Sequence, residues 1–132
     1  GLVRSDFPGG WDGDKINAFT GEGLSADQKE MQGYLKKIVN WRKTSSAVQS
    51  GKLMHYVPEN GVYAYFRYTD RQKVMVLLNK NEETVIVKTD RFQNMLSNID
   101  DGVEIITGKE ISLKDNITIP KMSAMIIDCH QQ

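Results

Sequence analysis

The chain has 132 residues, of which 39% are hydrophobic and 26% are charged, so its composition is that of a folded domain and not of a disordered segment. The 17 Lys and Arg residues balance the 17 Asp and Glu residues, which leaves no basic surplus for nucleic acid or an anionic membrane surface. The single cysteine, Cys129, allows no disulfide within the chain. Because the charges balance, we expect no nucleic-acid partner. Since no apolar run approaches the roughly 20 residues of a membrane helix, we expect no membrane insertion.

Residues 1–24 are predicted to form a loop. They contain Pro8 and six glycines, and breakers at that density leave no hydrophobic period for a helix or a strand. The run Asp12-Gly13-Asp14 is similar to the start of a calcium loop, but the fifth and twelfth positions would be Ile16 and Gly23, which offer no side-chain oxygen. We interpret it as a solvated turn and expect no metal there.

An amphipathic helix is predicted to follow. The run Ser25-Ala26-Asp27-Gln28 is a capping box, in which the Ser25 and Gln28 side chains each bond the backbone amide of the other residue. Behind it, six apolar residues recur at helical spacing: Met31, Tyr34, Leu35, Ile38, Val39 and Trp41. We expect the helix to end near Lys43, where hydroxyl side chains compete for backbone groups. Its apolar stripe is expected to fold onto the strands that follow or to pair with a second copy of the chain.

The rest of the chain is predicted to form short strands. The pair Asn60-Gly61 indicates a hairpin, and the continuous apolar run at 74–79 indicates a central strand covered on both faces. The predicted strands are 53–57, 62–69, 74–79, 84–88, 103–108, 110–113, 116–120 and 123–128, with a helical turn or wide loop at 90–96. Turns at this spacing favour an antiparallel sandwich or barrel with Greek-key connections.

The polar residues predict no catalytic, metal or cofactor site. His55, Cys129 and His130 are one short of the four ligands of a structural zinc site. Adjacent residues of a strand point to opposite faces, so Cys129 and His130 do not form a nucleophile pair. The carboxylates fall almost entirely in predicted turns, and the sequence contains no nucleophile elbow, phosphate loop or dinucleotide fingerprint.

The aromatic residues of the first hairpin permit two interpretations. Tyr56, Tyr63, Tyr65 and Tyr68 lie on the two strands that the Asn60-Gly61 turn joins. As an exposed row they would stack on sugar rings, and otherwise they would cover the sheet or a neighbouring domain with their hydroxyls in water. Trp11 in the opening loop is likewise open to two interpretations, as a residue at the rim of a substrate site or as a lid on the core.

Three blocks of the sequence resemble the C-terminal end of α-amylase family glycoside hydrolases, and neopullulanases and cyclomaltodextrinases in particular. The first block is RSDFPGGW with DGDKINAF, and the second is the run YLKKIVNWRKTSSAVQSGKL. The third comprises HYVPENGVYAYFR, VMVLLNKN and IPKMSAMII. The blocks keep the family's order and cover nearly the whole chain.

This resemblance implies a mainly β fold, an antiparallel Greek-key β-sandwich known as domain C, preceded by a loop and one amphipathic helix from the end of a (β/α)8 barrel. Residues 1–46 would be the end of the barrel and residues 47–132 the sandwich. Loops at the carboxyl ends of barrel strands carry substrate contacts, so the resemblance implies a substrate-rim role for Arg4, Asp6 and Trp11. A secondary sugar site at Tyr56, Tyr63 and Tyr65 occurs in only one of the two interpretations above.

The resemblance also implies that catalysis takes place in another domain and that this domain has a structural role. The family's catalytic Asp, Glu and Asp lie on earlier barrel strands and map onto no residue here, so we expect a non-catalytic domain that stabilises a catalytic barrel missing from this chain. The parent would be a bacterial, retaining hydrolase of α-glucan, and the alternative is an accessory module that binds starch or maltooligosaccharide. The expected partners are the barrel, α-glucan or maltooligosaccharide and, through the helix, a second copy, with no cofactor. A periplasmic or secreted parent is implied, with a cytoplasmic one as the alternative.

Overall fold

The computed structural model describes residues 6–130, and the chain divides into two compact units, Gly1–Lys36 and Lys37–Gln132. The boundary expected after residue 46 stays a prediction. The helices are α1 (Ala26–Arg42), α2 (Ser46–Ser50) and α3 (Gln93–Leu96), the last preceded by a 3-10 turn, Asp90–Phe92. The strands are β1 (Lys52–His55), β2 (Val62–Tyr68), β3 (Lys73–Asn79), β4 (Val85–Lys88), β5 (Asp101–Glu104), β6 (Glu110–Ser112), β7 (Asn116–Ile119) and β8 (Ser123–Cys129).

Helix α1 begins at the predicted capping box. The Ser25 amide donates to Gln28 Oε1 at 2.9 Å, and the Gln28 amide donates to Ser25 Oγ at 3.2 Å, so two backbone donors at the start of the helix gain partners. The predicted helix is confirmed. No α1 side chain is buried, and Met31, Leu35 and Val39 are each more than half exposed. The apolar stripe is therefore accessible in the part of the chain that the structure describes.

The strands form two antiparallel sheets packed face to face. The larger sheet has the order β1-β2-β3-β8-β5-β6, and the smaller consists of β4 and β7. Strand β3 pairs with β8 along its whole length, from Lys73↔Cys129 to Asn79↔Ser123, and β8 pairs with β5 on its other side. Neighbours this far apart in sequence require crossovers between the sheets, as Greek-key connections do. The predicted antiparallel β-sandwich is confirmed.

The main core lies between the two sheets. Its largest fully buried side chains include Phe66, Phe92, Met75, Leu77, Ile117, Ile119 and Ile127. Strand β3 is buried on both faces over Val74–Leu77, as its continuous apolar run predicts. Met75 and Leu77 enter the main core, whereas Val74 and Val76 belong to a second cluster on the opposite face of the sheet. We call that opposite face of the larger sheet the outer face.

The first hairpin turns as predicted. Asn60 and Gly61 have φ of 50° and 73°, and the two flanking residues, Glu59 and Val62, exchange backbone hydrogen bonds of 3.0 and 2.9 Å. Positive φ at both central positions is the conformation that Asn-Gly favours, and its twist matches that of the strands. The predicted hairpin is therefore confirmed.

One predicted strand was wrong in its extent, and one helix was not predicted. Strand β5 ends at Glu104 and does not continue to residue 108, because the Glu104 carboxylate accepts from the Ile106 and Thr107 amides and closes a turn there. Where the sequence predicts only a helix stop, the structure adds helix α2, capped by Ser45 Oγ, which accepts from the Val48 amide at 3.4 Å. Within residues 6–130 no helix is long and apolar enough to cross a membrane.

Candidate functional site

Asp14 organises the N-terminal loop, residues 6–24. One oxygen of its carboxylate, Oδ2, accepts from the Gly9 amide at 2.8 Å and from the Trp11 amide at 3.2 Å. Hydrogen bonds to a charged acceptor are stronger than those to a neutral one. The carboxylate therefore fixes the backbone on either side of Gly10, where the sequence offers no helix or strand.

Asn17 braces the second half of the loop. Its side-chain Oδ1 accepts from the Phe19 and Thr20 backbone amides at 2.9 and 3.1 Å, and its backbone amide donates to the Glu22 carbonyl at 2.8 Å. The Gly9 backbone has a φ of 93° and lies close to Asn17, so that a Cβ on Gly9 would lie 2.6 Å from Asn17 Oδ1. The glycine is thus required both by its backbone conformation and by the close approach.

Aromatic side chains line a depression on this loop. Trp11 is 69% exposed and Phe7 is 61% exposed, and the ring centroids of Phe7 and Phe19 are 5.3 Å apart. The depression has a volume of about 280 Å³ and is lined by Asp6, Phe7, Pro8, Trp11, Asp14, Lys15 and Ile16. The structure thus brings together Asp6 and Trp11, two of the three residues expected at a substrate rim. The third, Arg4, lies outside the described residues.

The structure separates the three tyrosines of the expected sugar site. Tyr63 and Tyr65 are neighbours on the outer face, with ring centroids 5.6 Å apart, and His55 lies 6.4 Å from Tyr63. Tyr56 instead packs edge-on against Phe66 and Phe92 of the main core.

Tyr56 has polar partners of its own. Its hydroxyl donates to Asn94 Oδ1, and the Arg91 guanidinium lies over its ring. Burial raises the pKa of Tyr56, against the opposing effects of the Asn94 hydrogen bond and the Arg91 charge. A row of three stacked tyrosines is therefore not formed.

Helix α2 and Trp41 cover part of the outer face. Ala47 is fully buried there against Val74 and Val76, with Trp41, Val48, Tyr65 and Ile126 around them. Further along β3, Leu78 is 40% exposed. Leu78 pairs with Tyr63 of β2 in the sheet register, and Tyr65 lies two residues after Tyr63 on β2. Tyr63, Tyr65 and Leu78 thus form a contiguous aromatic and aliphatic surface beyond α2, which we call the outer patch.

A polar network that the sequence did not predict joins α2 to the sheet. Gln72 Oε1 accepts from Ser45 Oγ, Ser46 Oγ and the Ala47 amide at 3.0, 3.3 and 3.1 Å. Its Nε2 donates to Asp128 Oδ2 at 2.9 Å. One glutamine therefore satisfies the donors of the buried residues Ser45 and Ala47, which an apolar side chain would leave without partners.

Asp128 lies at the end of this network. Burial raises the pKa of this carboxyl, and the opposing influences are the Gln72 hydrogen bond, the His130 charge and the Trp41 hydrogen bond.

The next residue, Cys129, has only 4% of its surface exposed, and burial raises the pKa of its thiol to about 12. A thiol with that pKa is not a nucleophile at neutral pH.

Three exposed side chains meet beside the β5–β6 edge. His130 Nδ1 lies 2.8 Å from Asp101 Oδ1 and 3.9 Å from Glu110 Oε2. Within residues 6–130 these are the ligand-type atoms that approach one another most like a metal site, lying within 4.8 Å of one another. All three side chains are at least half exposed, so the arrangement is a solvent-exposed hydrogen bond between His130 and Asp101 with a second carboxylate nearby.

Comparison with known families identifies the family of this domain. A family model described as the cyclomaltodextrinase C-terminal domain matches residues 53–128, which is more than half of the chain. The chain belongs to this family. The matched region is the sandwich, from β1 to β8, and the family is that of a non-catalytic C-terminal domain of α-amylase-like glycoside hydrolases.

Solved structures share the fold of this cyclomaltodextrinase C-terminal domain. AmyP in complex with maltose superimposes with a TM-score of 0.70 at 16% identity, covering 82% of this chain and 22% of that chain. An Anoxybacillus α-amylase gives 0.70 at 16% identity, with 92% and 26% covered. The isomaltulose synthase of Klebsiella sp. LX3 gives 0.61 at 19% identity, with 87% and 21% covered. The chain thus spans about a quarter or less of the length of these structures.

Proposed function

We propose that this domain covers and stabilises the catalytic (β/α)8 barrel of a larger enzyme, with residues 1–46 forming the end of that barrel. The observation that supports it is the outer patch together with the apolar stripe of α1. Leu78, Met31, Leu35 and Val39 are large apolar side chains with 40% to 59% of their surface exposed. Apolar surface of this kind gains free energy when a partner removes it from water.

The route of the chain supports the catalytic barrel as that partner. The segment that leads into the sandwich, from Trp41 through α2, packs on the outer face, whereas the other face is covered by the β4–β7 sheet and α3. A domain joined to the N-terminal side of this segment reaches the outer face without crossing the sandwich. A second copy of the chain is the competing partner for the stripe of α1.

Substitutions of exposed residues test the proposal. Leu78→Ser in the full-length enzyme should lower the thermal transition of the catalytic barrel more than it lowers that of the isolated chain, because the 40% of Leu78 that is exposed in this chain becomes buried between the domains. Ile86→Ser is the matched control, since Ile86 is 66% exposed on the smaller sheet. Equal transitions for both variants would contradict the docking face. A concentration-dependent dimer of the isolated chain that Val39→Ser abolishes would favour the second copy.

We further propose that the parent enzyme hydrolyses α-glucan or maltooligosaccharide with retention of configuration. The support is the cyclomaltodextrinase family description and the maltose bound in the AmyP structure. Retaining hydrolysis requires two carboxyl groups about 5–5.5 Å apart across the scissile bond. The catalytic barrel outside this chain would supply them.

The N-terminal loop is proposed to lie at the rim of that enzyme's substrate site, with Arg4, Asp6 and Trp11 as contacts. The supporting observation is the exposed Trp11 ring beside the Asp6 carboxylate in one depression. The alternative function, an accessory maltooligosaccharide-binding module, would use the outer patch. It would give NMR shifts at Tyr63 and Tyr65 in a titration of the chain with maltotriose, and Tyr56 would stay unshifted because it packs in the core.

A further inference from the structure

The N-terminal loop presents an exposed indole from a backbone that has no regular secondary structure to hold it. An aromatic ring binds a sugar face well only if its orientation is fixed before binding, because ordering a loop on binding costs free energy. Asp14 holds the backbone that carries this ring: its Oδ2 accepts from the Trp11 and Gly9 backbone amides at 3.2 and 2.8 Å, and its own backbone amide donates to the Trp11 carbonyl at 3.3 Å. Asp14 and Trp11 both line the depression.

We propose that Asp14 is a positioning residue, which orients Trp11 to stack on one pyranose ring of an α-glucan. This inference rests on the proposed function of the loop as a substrate rim. The depression of about 280 Å³ lies below the roughly 300–1,000 Å³ of small-molecule pockets, so the proposed contact is with a single sugar ring.

Asp12 offers a matched comparison. It is an exposed aspartate next to Trp11 in sequence, and among the described residues its carboxylate accepts no hydrogen bond. Asp12 and Asp14 therefore carry the same charge two residues apart in the loop, but only Asp14 bonds the backbone around Trp11. A comparison of the two separates backbone positioning from the electrostatic field of a nearby carboxylate.

The test is an NMR titration of the chain with maltotriose, observed at the two indole N–H signals and assigned with Trp11→Phe. In the unchanged chain the Trp11 signal should shift and saturate, and the Trp41 signal serves as the internal reference. Asp14→Ala should raise the Kd about tenfold, the scale expected when a hydrogen-bonded constraint is lost. Asp14→Asn should restore tight binding, because a single amide oxygen can accept from both amides as Oδ2 does. Asp12→Ala should bind like the unchanged chain.

Each contrary result has a separate meaning. If maltotriose shifts the Trp11 signal of the unchanged chain while Asp14→Ala leaves the Kd unchanged, the rim proposal stands and the positioning role is overturned. If Asp12→Ala weakens binding as much as Asp14→Ala does, the electrostatic field of the carboxylates matters and the positioning role is again overturned. If the unchanged chain gives no Trp11 shift at millimolar maltotriose, the rim proposal and the positioning role both fail.

Discussion

Asp128 shows how a single side chain couples the stability of this domain to pH. Its carboxyl has a pKa raised above the ordinary 3.8 by burial, so the folded chain binds this proton more tightly than the unfolded chain does. The stabilising contribution is therefore complete below pH 3.8 and is lost as the pH rises through the raised folded-state pKa. Above that pKa the ionised group is held in the structure by Gln72 and Trp41 at a net cost.

We predict a pH-dependent difference between the unchanged chain and Asp128→Asn, which does not titrate. As the pH rises from 3.8 through the folded-state pKa, the free energy of unfolding of the unchanged chain should fall relative to that of the variant and then run parallel to it. Urea denaturation across that pH range measures the difference. A difference that grows in the opposite direction would show that the hydrogen bonds to Asp128 outweigh its burial.

Helix α2 is the element that depends most on side-chain bonds. It has five residues, too few to be stable alone, and it is held by Gln72 and by the burial of Ala47. Gln72→Leu should therefore cost about 2–3 kcal/mol of unfolding free energy, because Ser45 Oγ and the Ala47 amide lose their acceptor inside the protein. Chemical denaturation measures this loss.

Gln49→Leu is the control for that experiment. Gln49 is an exposed glutamine of the same helix, and its Nε2 donates to the Arg42 and Lys43 carbonyls. We expect a cost well below that of Gln72→Leu, because these carbonyls can bond to water instead. Equal costs would mean that α2 is held by its own local bonds and not by the sheet.

Elements with local causes could be predicted from the sequence, and those with distant causes could not. The capping box at Ser25 and the Asn60-Gly61 hairpin depend on residues within one turn, and the structure has both. Helix α2 depends on Gln72, which is far away in sequence, and the end of β5 depends on Glu104, whose carboxylate also accepts from the distant Ile126 amide. The pairing of β3 with β8 likewise required the folded chain.

At the scale of the whole molecule, Cys129 reports on the integrity of the sandwich. It lies on β8 between Lys73 of β3 and Gly102 of β5, and a Cβ on Gly102 would meet the Asp128 carbonyl at 2.6 Å. Reagents can reach the thiol only when these strands separate. The raised pKa of about 12 further protects it, since the reactive thiolate is scarce at neutral pH.

We therefore predict that a thiol reagent at neutral pH labels Cys129 only as fast as the whole sandwich opens. Labelling should accelerate in step with the unfolding transition in urea, and mass spectrometry measures its rate. Ser97→Cys with Cys129→Ala places the one thiol at an exposed site and should label at once in the native state. Rapid labelling of native Cys129 would reveal local fraying of β8.

The position of β8 has a consequence for biosynthesis. The strand that a ribosome releases last among those described here is a central one, and it joins the β1-β2-β3 half of the larger sheet to the β5-β6 half. Until it emerges, β3 and β5 each have an open edge that is ready to pair with other chains. A nascent chain that pauses before Ser123 therefore holds two half-sheets, and this domain completes its fold only after translation has passed nearly all of it.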